Sequence, residues 1–197
     1  METFISLMLF LLPLGQILPT DTSTAVEMNT LVGAYGVHFG MDQQKVVQTI
    51  KDQYKLKPDR KVSREDYIIL EFGKIPRKLI HQLRVFIHSK NGVFAIEEEI
   101  KLRWNLQQTD LDNLENHQKR LDRILSQLRS QFGNEVFLED VDLRSRFKKD
   151  DFVTATWSFA ENHWIHVIYE PQDWELFPEI NKIIIIYRDS NRDPRDH

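Results

Sequence analysis

Residues 83–104 constrain the fold more than any other part of the sequence. Apolar and polar residues alternate on both sides of Asn91-Gly92, and Asn-Gly is the strongest short signal for a two-residue hairpin turn. In the second strand, apolar side chains share one face and charged side chains share the other, with Glu98 as the exception on the apolar face. The pattern predicts an antiparallel hairpin that packs one face on a core and exposes the other to water.

Two segments have the spacing of amphipathic helices. Residues 42–55 begin with an aspartate, whose carboxylate can accept hydrogen bonds from the first helical turn. Residues 109–132 begin at Thr109 or Asp110 and carry one stripe of apolar residues. Gly133 follows at a position where a left-handed cap is common. These patterns predict one short and one long helix, each with a single apolar face.

Four further segments are predicted strands because they are rich in β-branched and aromatic residues. They are residues 67–72, 152–159, 164–169 and 180–187. The last contains four consecutive isoleucines and has no polar face. We therefore expect it to lie centrally in a sheet or to be covered on both sides.

The order helix, strand, strand, strand occurs twice, over residues 41–104 and 110–187. We therefore expect an α+β fold in which two such units pack their helices on antiparallel sheet. Both units would belong to a single domain spanning residues 26–188. The remaining polar tail, residues 189–197, is expected to be disordered.

Residues 1–25 have the features of an export signal. Residues 4–14 are apolar, and a signal-peptide core needs about 7–15 such residues, whereas a membrane span needs about 20. The small residues Ser23 and Ala25 suit cleavage after Ala25, although no basic residue precedes Lys45. The sequence thus predicts a periplasmic or secreted protein. An uncleaved membrane anchor and a buried apolar helix are the alternatives.

Composition narrows the classes of function. The chain has no cysteine, which excludes disulfides, thiol chemistry and a cysteine-linked lipid anchor. Its formal net charge is −4, and residues beyond 25 include 26 basic and 28 acidic side chains. This near-neutral balance argues against nucleic acid or an anionic membrane as a partner. The basic runs at residues 55–61 and 144–149 are interpreted as solvated loops because acidic residues flank them.

Residues 36–46 read GVHFGMDQQKV, a phrase that opens a short helix ahead of antiparallel strands. It resembles the start of small bacterial envelope domains, among them the BamE/SmpA-like outer-membrane assembly proteins and the β-lactamase inhibitor proteins. The hairpin with Asn91-Gly92 at its tip is also similar to the strand pairs of that group. The resemblance implies a scaffold that binds proteins without catalysing a reaction.

Titratable residues give no motif for a cofactor or metal. The chain has seven histidines, and the closest pair, His163 and His166, falls on opposite faces of a predicted strand. Neither they nor any other set has a ligand spacing, so we expect no metal and no cofactor. The acidic run Glu97-Glu98-Glu99 is interpreted as a solvated face, with Glu98 near a strand end or paired to an arginine. The alternative is a carboxylate pair for acid/base chemistry or a cation site.

Aromatic residues near the end of the chain form the candidate recognition surface, namely Trp164, Trp174 and Phe177. Aromatics on a long loop at a sheet end often mark a binding surface, although they also cap cores. We therefore predict a non-enzymatic, exported module that binds another envelope or secreted protein. A carrier of a lipid or other apolar small molecule and a hydrolase with an unrecognised site are the alternatives.

Overall fold

The computed structural model of the chain describes residues 31–75, 81–139, 143, 152–171 and 180–196. The predicted export signal lies outside the described residues and stays a prediction. Trp174 and Phe177 also lie outside them. Neither helix in the described part of the chain is long and apolar enough to span a membrane.

The described residues form two helices and ten strands. The helices are α1 (Gln43–Tyr54) and α2 (Asp110–Phe132). The strands are β1 (Gly33–Ala34), β2 (Val37–His38), β3 (Arg60–Ser63), β4 (Tyr67–Phe72), β5 (Gln82–His88), β6 (Gly92–Arg103), β7 (Phe137–Leu138), β8 (Phe152–Phe159), β9 (His163–Glu170) and β10 (Ile180–Asp189).

Both helices begin where the sequence predicts, because side chains satisfy the first backbone N–H groups. The Asp42 carboxylate accepts a hydrogen bond from the Lys45 backbone N–H at 2.9 Å. Thr109 and Asp112 form a reciprocal capping box at the start of α2. Gly133 ends α2 with a φ of 81° and a ψ of −164°, which is an extended conformation and not the left-handed cap that its position predicts.

Eight strands form one continuous antiparallel sheet in the order β3-β4-β5-β6-β10-β9-β8-β7, and β1 pairs only with β2. The isoleucine-rich β10 lies between β6 and β9, which confirms its predicted central position. Ile185, for example, stands opposite Glu98 on one side and Val167 on the other. Full burial of such a side chain contributes about 1.5–3 kcal/mol.

The main core lies on one face of this sheet, called here the inner face. Residues such as Ile96 and Ile183 pack there against Val46 and Ile50 of α1 and Leu121 of α2. On the same strands, the residues that alternate with these buried ones point to the opposite face, called here the outer face. Since both helices contribute their apolar stripes to the inner face, neither covers the outer one.

The predicted α+β fold with two repeated helix-plus-three-strand units is wrong. The structure is mainly an eight-stranded antiparallel sheet plus a two-stranded one, with two helices among the described residues. The prediction missed β3, which reads as a charged loop, and β7, which is only two residues long. It also expected the strands in separate units, whereas β6 and β10 pair along nearly their whole length. Apolar alternation shows which face of a strand is buried but not which strand is its neighbour.

The end of the chain also differs from the expectation of a disordered tail. β10 extends to Asp189, and residues 190–196 continue into a turn and a short 3-10 helix at Pro194–Asp196. Asp193 in this segment is fully buried. Its carboxylate accepts hydrogen bonds from Arg188 Nε at 2.7 Å and from Arg195 Nη2 at 2.6 Å. Charge-assisted hydrogen bonds of this kind hold a polar segment in place without an apolar core.

Candidate functional site

The outer face of the sheet divides into two halves of different chemistry. One row of side chains crosses all eight strands in register, in the order Phe137, Thr156, His166, Ile186, Glu97, Arg84, Glu71 and Arg60. On β7 to β10 the row contains no acid, lysine or arginine. On β3 to β6 every position is charged and the sign alternates, so the boundary lies between β10 and β6.

Arg84 organises the charged half. It is in contact with Glu97 and places its Nη2 3.1 Å from Glu99, while its Nε lies 3.7 Å from Glu71. Burial disfavours the charge of Arg84, but these carboxylates outweigh that effect and raise its pKa. Lys182 of β10 also reaches Glu99, at 3.6 Å. The charges at the centre of this half are therefore paired within the chain.

An aromatic cluster on the same half is closed by the chain itself. It consists of Tyr67, Ile69, Phe86 and Phe94, and the Arg195 guanidinium lies over the two phenylalanine rings at 5.5 and 5.3 Å. We call this set the arginine-covered cluster. Apolar alternation in the second strand of the hairpin places Phe94 on the same face as Ile96, but a register shift between Phe86 and Ile87 turns Phe94 to the outer face.

A second apolar surface lies on the outer face of β9 and β10, and all of its members are partly exposed. We call it the tryptophan patch; it consists of Trp164, His166, Ile168, Ile184 and Ile186. The register places Ile168 opposite Ile184 and His166 opposite Ile186. The rings of Trp164 and His166 are stacked, with centroids 6.1 Å apart and planes inclined by 7°. Five neighbouring side chains thus form one continuous apolar and aromatic surface.

His166 is fixed in the patch as a neutral ring. Thr156 Oγ1 lies 3.1 Å from His166 Nδ1, which holds the ring parallel to Trp164. Burial, and then the charge of Arg188, lower the pKa of His166. A neutral, immobilised imidazole adds to the apolar character of the surface at neutral pH.

Trp164 is the one predicted recognition residue that lies within the described residues, and it stands on the outer face. Trp174 and Phe177, the other two predicted recognition residues, lie outside the described residues. No sequence motif marks His166, Ile168, Ile184 or Ile186 as part of a site. The spacing of Trp164, His166 and Ile168 by two indicates a shared face, but their isoleucine neighbours depend on the pairing of β9 with β10.

Glu98 occupies a different environment from the one expected. It is 4% exposed, on the inner face, in the middle of β6. The hydroxyls of Tyr35 and Tyr187 hydrogen-bond to its carboxylate, and burial together with Glu98 raises the pKa of both tyrosines. Tyr35 holds a φ of 58° in the two-residue turn between β1 and β2, a conformation that non-glycine residues rarely adopt. Glu98 therefore ties this small hairpin to the inner face.

An open pocket of about 600 Å³ lies at one end of the sheet. It is lined in part by His163 and Asp189, which are 7% and 3% exposed, with 3.5 Å between Nε2 and Oδ2. Arg192 Nε lies 2.8 Å from the same Asp189 oxygen, and its Nη1 donates to the Asn91 carbonyl at 3.1 Å. Arg192 thus joins Asp189, at the end of β10, to Asn91 in the β5–β6 turn.

The histidines and acids do not assemble into a metal centre in the described part of the chain. The hydrolase hypothesis needs a cleft that gathers Glu98, a histidine and another acid. Glu98 lines neither this pocket nor another open pocket of about 450 Å³ beside the start of α1. Both pockets are open to solvent, whereas a lipid carrier needs an enclosed apolar cavity.

Comparison with known proteins found no matching family model, and no curated protein or solved structure matched the chain. The resemblance to BamE/SmpA-like domains and to β-lactamase inhibitor proteins therefore stays a prediction.

Proposed function

We propose that this protein is a non-catalytic binding module that holds another protein against the tryptophan patch. The observation that carries the proposal is the patch itself, a continuous surface of one tryptophan, one neutral histidine and three isoleucines on a sheet face that neither helix covers. Partly exposed aromatic and branched aliphatic side chains of this kind dominate the energetics of protein interfaces.

The surroundings of the patch fit an interface with a protein. Arg188 stands opposite Trp164 across β9 and β10, and Lys182 lies 3.9 Å from Glu170 at the other end of the same strands. An apolar centre with a polar rim is the usual anatomy of a specific interface. The matching partner presents a ridge of apolar side chains, with polar groups that meet Arg188 and Glu170 at its edges.

The two alternatives find less support among the described residues. Both pockets are open, so neither provides the enclosed chamber of a carrier. Glu98 is engaged by tyrosine hydroxyls on the inner face, away from both pockets. The patch, in contrast, requires no rearrangement to be reached by a partner.

The proposal is tested by co-purifying the full chain with its partner from the source cells and measuring the dissociation constant of the purified pair. Trp164→Arg replaces the largest aromatic ring of the patch with a charge, so we expect the dissociation constant to rise about tenfold or more. The matched control is Leu111→Arg, since Leu111 is 58% exposed at the start of α2 and does not lie on the outer face.

Circular dichroism establishes that both variants are folded before binding is compared. Equal weakening by the two substitutions, or no weakening by Trp164→Arg, would show that the patch is not the contact surface. Native mass spectrometry of the purified chain adds a separate arm. A co-purified lipid in place of a protein would replace this proposal with the carrier hypothesis.

A further inference from the structure

Arg188 lies between the two apolar areas of the outer face. The strand register places a second row of side chains across this face, in the order Trp164, Arg188, Ala95, Phe86 and Ile69. Trp164 belongs to the tryptophan patch, whereas Ala95 and Ile69 pack with Phe86 in the arginine-covered cluster. The two apolar areas are therefore separated on this row by a single strand and a single charged side chain.

Acids of the C-terminal segment neutralise Arg188. Its Nε lies 2.7 Å from Asp193 Oδ2, and its guanidinium also contacts Asp196. Among the described residues, these are the carboxylates that form ion pairs with Arg188, since its neighbours across the strands, Trp164 and Ala95, carry no charge. A partly buried arginine that loses its acids without a replacement is strongly destabilised. The segment can therefore leave Arg188 only in exchange for another negative group.

The C-terminal segment has two parts that are held differently. In residues 190–192, Asn191 Nδ2 donates to a carbonyl of the β8–β9 turn at 2.7 Å, and Arg192 Nη1 donates to a carbonyl of the β5–β6 turn at 3.1 Å. Residues 193–196, called here the strap, read DPRD and contain no large apolar side chain. A pivot after Arg192 therefore frees the strap while the turn before it stays in place.

The strap contacts the sheet through groups that another molecule can replace. Asp193 pairs with Arg188, and the Arg195 guanidinium lies 5.5 and 5.3 Å from the ring centres of Phe86 and Phe94. Desolvation offsets much of the attraction within a buried ion pair, and a cation–π contact made by a partly exposed arginine is weak. A carboxylate and an apolar side chain from outside can thus take the place of the strap with little net loss.

We infer that the strap occupies part of the surface that the partner binds, and that the partner displaces it with a carboxylate that pairs with Arg188. This inference rests on the proposed function and names the chemistry of the partner, which is a segment with an aspartate or glutamate between apolar side chains. Those apolar side chains cover Trp164 on one side of Arg188 and the rings of Phe86 and Phe94 on the other. A segment without the acid cannot replace Asp193, so the strap also excludes apolar segments of the wrong charge.

The first experiment compares the dissociation constant of the co-purified partner for the wild type and for Arg195→Ala. Loosening the strap removes a competitor, so Arg195→Ala is expected to bind the partner about three- to tenfold more tightly. Asp196→Asn acts in the same direction and leaves Arg195 over the rings. The matched control is Arg64→Ala, which removes the same charge from the exposed turn between β3 and β4 and leaves the affinity unchanged.

The outcomes separate this inference from the proposed function. If Trp164→Arg weakens partner binding but Arg195→Ala leaves it unchanged or weakens it, the patch remains the contact surface and the strap only stabilises the fold. Arg188→Gln is expected to weaken partner binding about tenfold, because the partner's carboxylate loses its counter-charge. Equal affinity of Arg188→Gln and the wild type would also overturn the inference.

A second measurement needs no partner. Its probe is 1-anilinonaphthalene-8-sulfonate, an aromatic anion that binds exposed apolar surface and offers a sulfonate to Arg188. Compared with the wild type, Arg195→Ala is expected to bind the probe about fivefold more tightly and Arg188→Gln about fivefold more weakly. Circular dichroism in the near and far ultraviolet establishes that each variant keeps its native fold. Equal probe affinity in all three proteins contradicts a competition for Arg188.

Nuclear magnetic resonance of the full-length wild type then reports the position of the strap directly. The Arg195 Nε–H donates to Asp193 at 2.8 Å and lies close to two phenylalanine rings, so its resonance differs from that of a solvated arginine. Saturation with the probe is expected to move this resonance to the solvated position. A resonance that stays in place while the probe binds shows that the strap is not displaced, and the inference is then wrong whether or not a protein partner is found.

Discussion

The arginine-covered cluster and the tryptophan patch lie on the same face of one sheet and differ in what closes them. Phe86 and Phe94 of the cluster are 8% and 0% exposed beneath Arg195, whereas every residue of the tryptophan patch remains partly exposed. The C-terminal segment turns back over one half of the face, where Asp193 anchors Arg195. The cluster is therefore closed by the chain itself, whereas the tryptophan patch, on which the proposed function rests, is not closed by this segment.

The largest expected contrast between the two halves comes from truncating one aromatic residue in each. Phe94→Ala should lower the free energy of unfolding by about 3–5 kcal/mol, because the ring is fully buried and leaves a cavity. Trp164→Ala should cost about 1 kcal/mol, since its ring is partly exposed. Urea unfolding of the two variants beside the wild type measures both values. Equal losses would show that the patch is as much a part of the core as the cluster.

A smaller effect is expected from replacing Asp193, which holds Arg195 over the arginine-covered cluster. Asp193→Asn deprives Arg188 and Arg195 of their shared carboxylate. Breaking a buried ion pair costs about 3–5 kcal/mol, but the Arg195 side chain is 44% exposed, so we expect about 1–2 kcal/mol after solvent screening. Hydrogen exchange should accelerate in residues 190–196 and around Phe86 while the patch strands β9 and β10 keep their protection. If hydrogen exchange accelerated equally throughout the sheet, residues 190–196 would not have a purely local role.

The sequence predicted the parts of this molecule that depend on neighbours along the chain. Asp42, the Asn91-Gly92 turn and the isoleucines of β10 each carry a local signal, and the corresponding helix, hairpin and central strand are present. Strand pairing was not predictable, because β3 has a charged surface pattern and the contact of β6 with β10 joins residues far apart in sequence. The prediction of two repeated units was therefore wrong, although most of the individual helices and strands were predicted correctly.

The candidate site shows the same limit. Trp164 was selected for its residue type, and its partners on β10 follow only from the register of the sheet. The bulge that moves Phe94 to the outer face has no sequence signal beyond the alternation that it breaks. Glu98 was singled out for its place on an apolar face, but Tyr35 and Tyr187, which engage it, come from opposite ends of the chain.

The smallest expected effect is a difference in how the two halves respond to acid. Burial lowers the pKa of His166 in the patch below its ordinary 6.5, so the folded state resists protonation more than the unfolded state does. Its contribution to stability is complete above about pH 6.5 and is lost as the pH falls through the lowered value. His81 and His117 act in the same direction, because burial lowers the pKa of each.

The C-terminal segment that contains Asp193 loses stability at a lower pH than the histidines do. Burial alone would raise the pKa of Asp193, but hydrogen bonds and charge from Arg195 lower it below its ordinary 3.8. Its contribution is present above about pH 4 and disappears as the pH falls through the lowered value. The free energy of unfolding measured from pH 8 to 3 should thus decline in two stages. His166→Gln reduces the first stage without abolishing it, since His81 and His117 remain, and Asp193→Asn removes part of the second. If His166→Gln instead reduced the second stage, the titration could not be assigned to separate halves of the face.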